Sequence, residues 1–339
     1  MKRIIVCLAF FGLFSCQSEE LYFYQENGYA QGSTYHISYR HPAADHQASA
    51  AFDSIFKLVD RSVNTYQKSS LISHLNAGDT LMPDPVMDSL FKISRTIYRA
   101  SAKAFDPTVG PLVNFWGFGP DKNRSIDSSQ VDSLKSQIGF EYLDFTPGKR
   151  FHLPAGFSLD FNAVAQGYTV DLIADYLESE GVKNYMVEVG GEVKCKGRNR
   201  QEEVWRIGVD KPTEQIDQQD RFQFILKLDN RALATSGNYR KFWTDPQSGV
   251  RYAHTIDPRS GYPAKNTLLS VSIISKEAAT ADALATAVMV LGKKEGLDFL
   301  AQWPEPVECY LISSQASDST WEVYQSEGFE EMILNPELN

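Results

Sequence analysis

Asp282 and Thr286 stand four residues apart in ATADALATAVMVLG (279–292), a stretch that is apolar at nearly every other position. On a helix this spacing puts the carboxylate and the hydroxyl on one face, one turn apart. Two hard oxygens presented to one point suit Mg2+ or Ca2+. The same residues also fit a plain helix start: with Thr280 as N-cap, Asp282 falls in the first turn, where the helix dipole favours an acid. A helix that is apolar all round is buried, and a buried carboxylate needs a cation or donors to meet it.

Three further stretches carry chemistry-bearing side chains. In LDFNAVAQGYTVDLIADYL (159–177), Asp160 and Asn162 end a strand, and Ala163, Ala165 and Gly167 bring small residues to a helix start. Such a turn can present amides to phosphate, or it can simply allow close helix–strand packing. It matches neither GxGxxG nor a P-loop. In RYAHTIDPRSGYP (251–263), His254 stands at a strand end beside Thr255 and Asp257, ahead of a strong turn. A histidine there suits general-base work, or it is structural. VEVGGE (187–192) puts Glu188 at the end of an apolar strand, or forms a glycine hairpin. FDPTVGPLVNFWGFG (105–119) has two Pro, three Gly and four aromatics without periodicity. A loop this apolar packs into the core or lines a pocket.

The elements that must position these residues follow from periodicity. Strands are predicted at 28–40, 142–152, 157–161, 184–189, 192–197, 204–209, 221–229, 231–235, 251–256, 267–275, 307–313 and 320–325. Helices are predicted at 46–66, 84–103, 131–138, 164–181 (stopping at Gly181), 279–292 and 293–302. Strands and helices mix without strict alternation, and no solenoid repeat is present, so the class is α+β.

The 339 residues are 42% hydrophobic and carry a net charge of −10, with no Lys/Arg cluster, which argues against a nucleic-acid surface. Lys2 and Arg3 precede an apolar run, residues 4–14, that is too short to span a bilayer. Residues 1–15 therefore read as a lipoprotein signal, with Cys16 as the lipidated first residue and 16–27 as a tether to a single domain, 28–335; an ordinary cleaved secretory signal is the alternative reading. Removing residues 1–15 takes away Lys2 and Arg3 and leaves −12. Cys195 and Cys309 are the remaining cysteines, too few for a disulfide framework.

The order of the blocks is more specific than any one of them. QGSTY (31–35), NTY (64–66) with SLISHLN (70–76), FDPTVGPLVNFWGFG, the 160–171 stretch, VEVGGE, ATSG (234–237), HTIDPRSG (254–261) and TADALATAVMVLG (280–292) run in sequence. This string resembles the ApbE family, the FAD:protein FMN transferases, over about residues 28–313. The resemblance implies an α+β fold of mixed sheets with packed helices, in that family's T-fold-related architecture. It implies an enzyme that uses FAD as substrate and requires Mg2+. FMN passes to a Thr or Ser hydroxyl of an acceptor protein through a phosphodiester bond, and AMP leaves. Acceptors are typically membrane redox subunits with a flavinylation motif, and the location is the periplasmic face of the cell envelope, lipid-anchored to the inner or outer membrane.

Carried over by position, the resemblance implies a metal held by the Asp282 and Thr286 side chains and the Ala163 carbonyl. It implies FAD contacts at Gln31, Tyr66, Ala104, Phe105, Asp106, Asp160, Gln166 and Ile256. Gln31 replaces a common Met, and Gln166 stands where many relatives carry Lys or Glu. His254 is the candidate to take or orient the acceptor proton, with Asp257 competing. Two other activities fit the same residues: a Mg2+-dependent FAD pyrophosphatase, and a non-enzymatic periplasmic FAD-binding lipoprotein.

Overall fold

The computed structural model describes residues 21–119, 128–213, 221–238, 242–244, 251–314 and 321–334. The signal segment and Cys16 lie outside the described residues. The chain begins with strands β1 (Tyr22–Ala30) and β2 (Ser33–His41), then helices α1 (Ser49–Val63), α2 (Leu71–Asn76), α3 (Pro85–Ala100), α4 (Gly110–Phe115) and α5 (Val131–Lys135). Helix α6 (Ala165–Ser179) leads into β3 (Asn184–Val189), β4 (Glu192–Lys196), β5 (Trp205–Asp210), β6 (Phe222–Leu228) and β7 (Arg231–Gly237). Short strands β8 (Phe242–Thr244), β9 (Arg251–Ala253), β10 (Ile256–Asp257) and β11 (Tyr262–Pro263) precede the central strand β12 (Leu268–Ser275). Helix α7 (Ala278–Ala301), β13 (Glu308–Ser314), β14 (Trp321–Gln325), α8 (Glu327–Glu330) and β15 (Ile333–Leu334) complete the order.

Eight strands form one antiparallel sheet in the order β1-β2-β3-β4-β7-β12-β13-β14. Because strand side chains alternate between faces, the sheet is covered on both. On one face Ile37, Val187 and Val189 pack against Phe52 of α1 and Ile173 of α6, while Val271, Ile273 and Leu311 pack against α7 and α3. On the other face Val193, Ile274, Tyr310 and Ile312 meet Trp205, Leu226 and Phe329 from the small sheet β15-β6-β5 and α8. Cys195 points to this second face and Cys309 to the first, and both are free thiols.

Several elements differ from the sequence expectation. The strand expected at 28–40 is a hairpin: residues 22–27, expected in the tether, pair with residues 36–41. Its turn is Gln31-Gly32, both at positive φ (51° and 75°), as a two-residue hairpin turn of this hand requires. Residues 142–152 and 157–161 are not strands; among the described residues their β-pairing is limited to the isolated bridges Leu81–Phe151 and Val109–Ser158. The apolar alternation there serves an aromatic cluster instead. Phe91 of α3 stacks on Phe145 at 3.8 Å and meets Phe151 and Phe161 edge-on. Asp160 and Asn162 thus sit in an irregular segment and not at a strand end. The helices expected at 279–292 and 293–302 abut as α7, broken at Gly292 (φ 80°, ψ 173°). Asn266 Nδ2 donates to the Met289 carbonyl freed by that break, at 2.8 Å.

The apolar 105–119 stretch contains α4 and is core-packed. Leu112 and Trp116 join Val131, Ile138 and Ile256 in a satellite core, and Trp116 Nε1 donates to the Gly261 carbonyl at 2.9 Å.

Candidate functional site

Helix α7 is buried along 281–285 and 287–290, because the sheet lies behind it and α3 and α6 flank it. Its N-terminus approaches α6 unusually closely. A Cβ on Gly167 would sit 2.4 Å from the Ala278 carbonyl oxygen, so only glycine allows this contact. The Gly167 amide donates to Asp282 Oδ2 at 3.2 Å. One turn further along α6, the two oxygens of Asp171 accept from the Ala278 and Ala279 amides at 2.9 Å each.

Thr280 is therefore not the N-cap. Glu277 holds that position without a side-chain cap, and Asp171 of α6 takes the first amides. Asp282 is the fifth residue of α7, beyond the first turn, so capping does not account for it. Burial pushes its carboxyl up to about 7; the Gly167 amide works against this shift and the nearby Asp171 charge adds to it.

Thr286, one turn on, places Oγ1 3.3 Å from Ser236 Oγ at the end of β7. Ala163 lies two residues before α6, in the turn whose helix meets Asp282. Among the described residues no three His, Cys, Asp or Glu side chains gather at a possible metal site. The side-chain donors here are the Asp282 carboxylate and the Thr286 and Ser236 hydroxyls. That hard-oxygen set, with a carboxylate that burial leaves poorly satisfied, fits Mg2+ and not a softer metal.

The flavin candidates fall into two groups. Gln31, on the β1–β2 turn, donates from Nε2 to Thr169 Oγ1 of α6 at 2.9 Å. Gln166 folds over Gly190 so closely that a Cβ there would lie 2.4 Å from its amide. Both glutamines thus border the α6 start. In the second group, Asp160 is anchored by its amide to the Pro107 carbonyl and accepts from the Asn162 amide at 2.7 Å. Burial pushes the Asp160 carboxyl up; burial also raises the neighbouring Tyr66 phenol, and the Asp160 charge adds to that shift. The Tyr66 residue is 62% exposed, available to stack on an aromatic ring. Asn76 pins the same segment, exchanging two hydrogen bonds with the Leu159 backbone.

Ala104, Phe105 and Asp106 are buried. Asp106 accepts from the Thr108 amide and hydroxyl and from the Phe140 amide, and burial raises it to about 6. Its carboxylate orders the loop itself.

Ile256 lies in the satellite core. Asp257 is committed to Arg259, at 3.0 Å from Nε, and Arg259 also reaches Glu295. His254 stands edge-on to Phe118, with ring centroids 6.3 Å apart. Thr255 beside it donates to Asn238 Oδ1 at 2.7 Å, two residues beyond the Ser236 that meets Thr286. The end of β7 thus links the histidine segment to the Asp282–Thr286 pair. Two surface clefts of about 370 Å³, one along α1 and one along α3, contain none of these residues.

Sequence reasoning gave no role to Ser236 or Asp171, and it offered the amides of the Gly167 turn to phosphate, whereas the Gly167 amide meets Asp282. All three stand inside quoted blocks (234–237 and 159–177), but spacing alone cannot show that α6 and α7 share a face.

Residues 31–311 match the ApbE family. The chain belongs to it. The match spans the candidate metal pair, both flavin groups and the histidine segment. FAD:protein FMN transferase from Vibrio cholerae serotype O1 is 36% identical over 279 residues, covering 80% of this chain and 82% of the relative. The Escherichia coli K12 protein of the same name is 34% identical over 283 residues, covering 80% and 78%. Among solved structures, the flavin transferase ApbE of Vibrio cholerae superposes with a TM-score of 0.79 at 32% identity, covering 92% of this chain and all of that one. The apo flavinyl transferase ApbE of Pseudomonas stutzeri gives a TM-score of 0.80 at 30% identity, covering 92% and 97%. The α+β architecture is therefore that of the ApbE flavin transferases.

Proposed function

We propose that this chain is a Mg2+-dependent FAD:protein FMN transferase. The observation that carries the reading is the buried Asp282, one turn from Thr286 and facing the α6 start, with no cationic side chain bonded to it among the described residues. A binding module has no need of such a carboxylate, whereas a site for a diphosphate and a dication does. When bound, Mg2+ would neutralise the FAD diphosphate and the charge that develops on it during transfer. Asp282, Thr286 and the Ala163 carbonyl would hold it.

The remaining work falls to the chain's own side chains. Tyr66 offers its exposed ring for stacking, Asp160 accepts from ring or ribose donors, and Gln31 and Gln166 border the α6 start with amide groups. Of the two base candidates, Asp257 has both carboxylate oxygens engaged by Arg259, so neither is turned to an acceptor hydroxyl. His254 then takes the proton of the acceptor hydroxyl. The hydroxyl oxygen bonds to the FMN-side phosphorus, the bond from that phosphorus to the oxygen shared with AMP breaks, and AMP leaves.

In this reading Cys16 carries a lipid after removal of residues 1–15, holding the domain at the periplasmic face of the envelope beside membrane redox acceptors. Incubating the protein with FAD, Mg2+ and an acceptor domain tests it. Acceptor mass must rise by one FMN phosphoryl adduct, with equimolar AMP. AMP and free FMN without acceptor labelling would indicate a pyrophosphatase, and no AMP at any Mg2+ concentration a flavin-binding lipoprotein.

A further inference from the structure

Helices α6 and α7 are joined by two rungs of matching spacing. Gly167 and Asp171 lie four apart on α6, and Ala278 and Asp282 four apart on α7, so each pair shares a face. Gly167 bonds Asp282, and Asp171 bonds the Ala278 and Ala279 amides. The first rung holds the carboxylate read above as a metal ligand. The second holds nothing that touches substrate, yet it is the more elaborate.

Asp171 is 8% exposed and uses both oxygens. Lys194 of β4 donates to Asp171 Oδ1 at 2.9 Å and to Glu277, the residue at the α7 N-cap position. One ammonium thus ties α6, β4 and the start of α7 together. A charged lysine is costly to bury unless its partners are fixed. The amides that Asp171 takes are the first of α7, so any shift of this cap moves the helix along its axis.

We propose that Asp171, clamped by Lys194 and Glu277, is a positioning residue for the flavin-transfer site. It sets the register of α7 against α6, and with it the place where Asp282 and Thr286 meet the α6 start. This rests on the metal reading of Asp282. Such partners behind a ligand typically change metal affinity by roughly 10–100-fold when lost.

The test is a Mn2+ titration followed by electron paramagnetic resonance of the free ion, run beside the Mg2+ dependence of flavin transfer. Asp171→Asn keeps the shape but puts an amide nitrogen against a backbone N–H. It is expected to raise both half-saturating metal concentrations about tenfold or more. Lys194→Gln leaves the cap carboxylate in place, guards against a misfolded Asp171→Asn, and is expected to shift both in the same direction. Lys194→Arg should recover most of the loss. A role in stability alone would lower the melting temperature and leave metal half-saturation of the folded protein unchanged. Wild-type half-saturation in folded Lys194→Gln or Asp171→Asn overturns the proposal. A wild-type protein that binds no Mn2+ and ignores Mg2+ overturns the metal reading itself.

Discussion

Gly167→Ala separates two opposing effects at the centre of the site. Gly167 is the third residue of α6, where alanine is favoured over glycine by at most about 1 kcal/mol. Against this, the new Cβ would stand 2.4 Å from the Ala278 oxygen, 2.7 Å from its carbonyl carbon and 2.9 Å from Ala279 Cα. All three are backbone atoms, so no rotamer change relieves them. Ordinary contact begins near 3.5 Å, so the helices must part by roughly 1 Å. Overpacking of this kind costs about 1–3 kcal/mol, more than the propensity gain. The same movement carries the 3.2 Å Gly167–Asp282 bond beyond hydrogen-bond range. Thermal unfolding should show a melting temperature lower by a few degrees, about 2–4 °C per kcal/mol for a large domain. Flavin transfer by the same folded sample should fall by a larger factor than stability explains. A Gly167→Ala protein as stable and as active as wild type would refute the close-contact reasoning.

Three further predictions follow the same logic. Asp282 and Asp106 titrate higher folded than unfolded, near 7 and 6, because burial disfavours their charged forms. These two groups therefore bind more protons in the folded protein across this window, and in EDTA the stability they contribute, read as the difference from the Asp282→Asn and Asp106→Asn variants, should be greatest near pH 4 and fall as pH rises towards about 7. Urea titrations check this, and a rise over that range contradicts it; Mg2+ affinity should climb over the same range, since the ion competes with the Asp282 proton. His254→Ala should lower the transfer rate about 10²–10⁴-fold, whereas Asp257→Asn should cost little beyond its exposed ion pair, about 0–1 kcal/mol; the reverse order in single-turnover assays would move the base to Asp257. Gly292→Ala should destabilise by about 1–3 kcal/mol in denaturant titrations, because its φ of 80° and ψ of 173° are open essentially to glycine alone.

Where one face of an element was buried, its period was readable. The alternation of β3 marks its observed bounds, whereas α7 has no polar face to read and only Gly292 marks the break between its halves. Periodicity misled where apolar side chains served a neighbour other than a sheet. Phe145, Phe151 and Phe161 alternate as strand residues do, yet they gather around Phe91. Alternation also ran through the Gln31-Gly32 turn without a break, so a hairpin read as one strand.

The Asp282–Thr286 pair was visible as a spacing, but its choice between cap and ligand was not. What removes the cap is Asp171, more than a hundred residues earlier, which only the fold brings to the α7 amides. The Arg259 that engages Asp257 stood two residues away in the sequence, but its hold on the carboxylate depends on the turn geometry.

The most direct measurement is anomalous scattering from crystals soaked in FAD and Mn2+. A manganese peak bonded to Asp282, Thr286 and the Ala163 carbonyl, and touching the FAD diphosphate, is predicted. Bound FAD with no peak there, or with manganese held by other residues, would contradict the account.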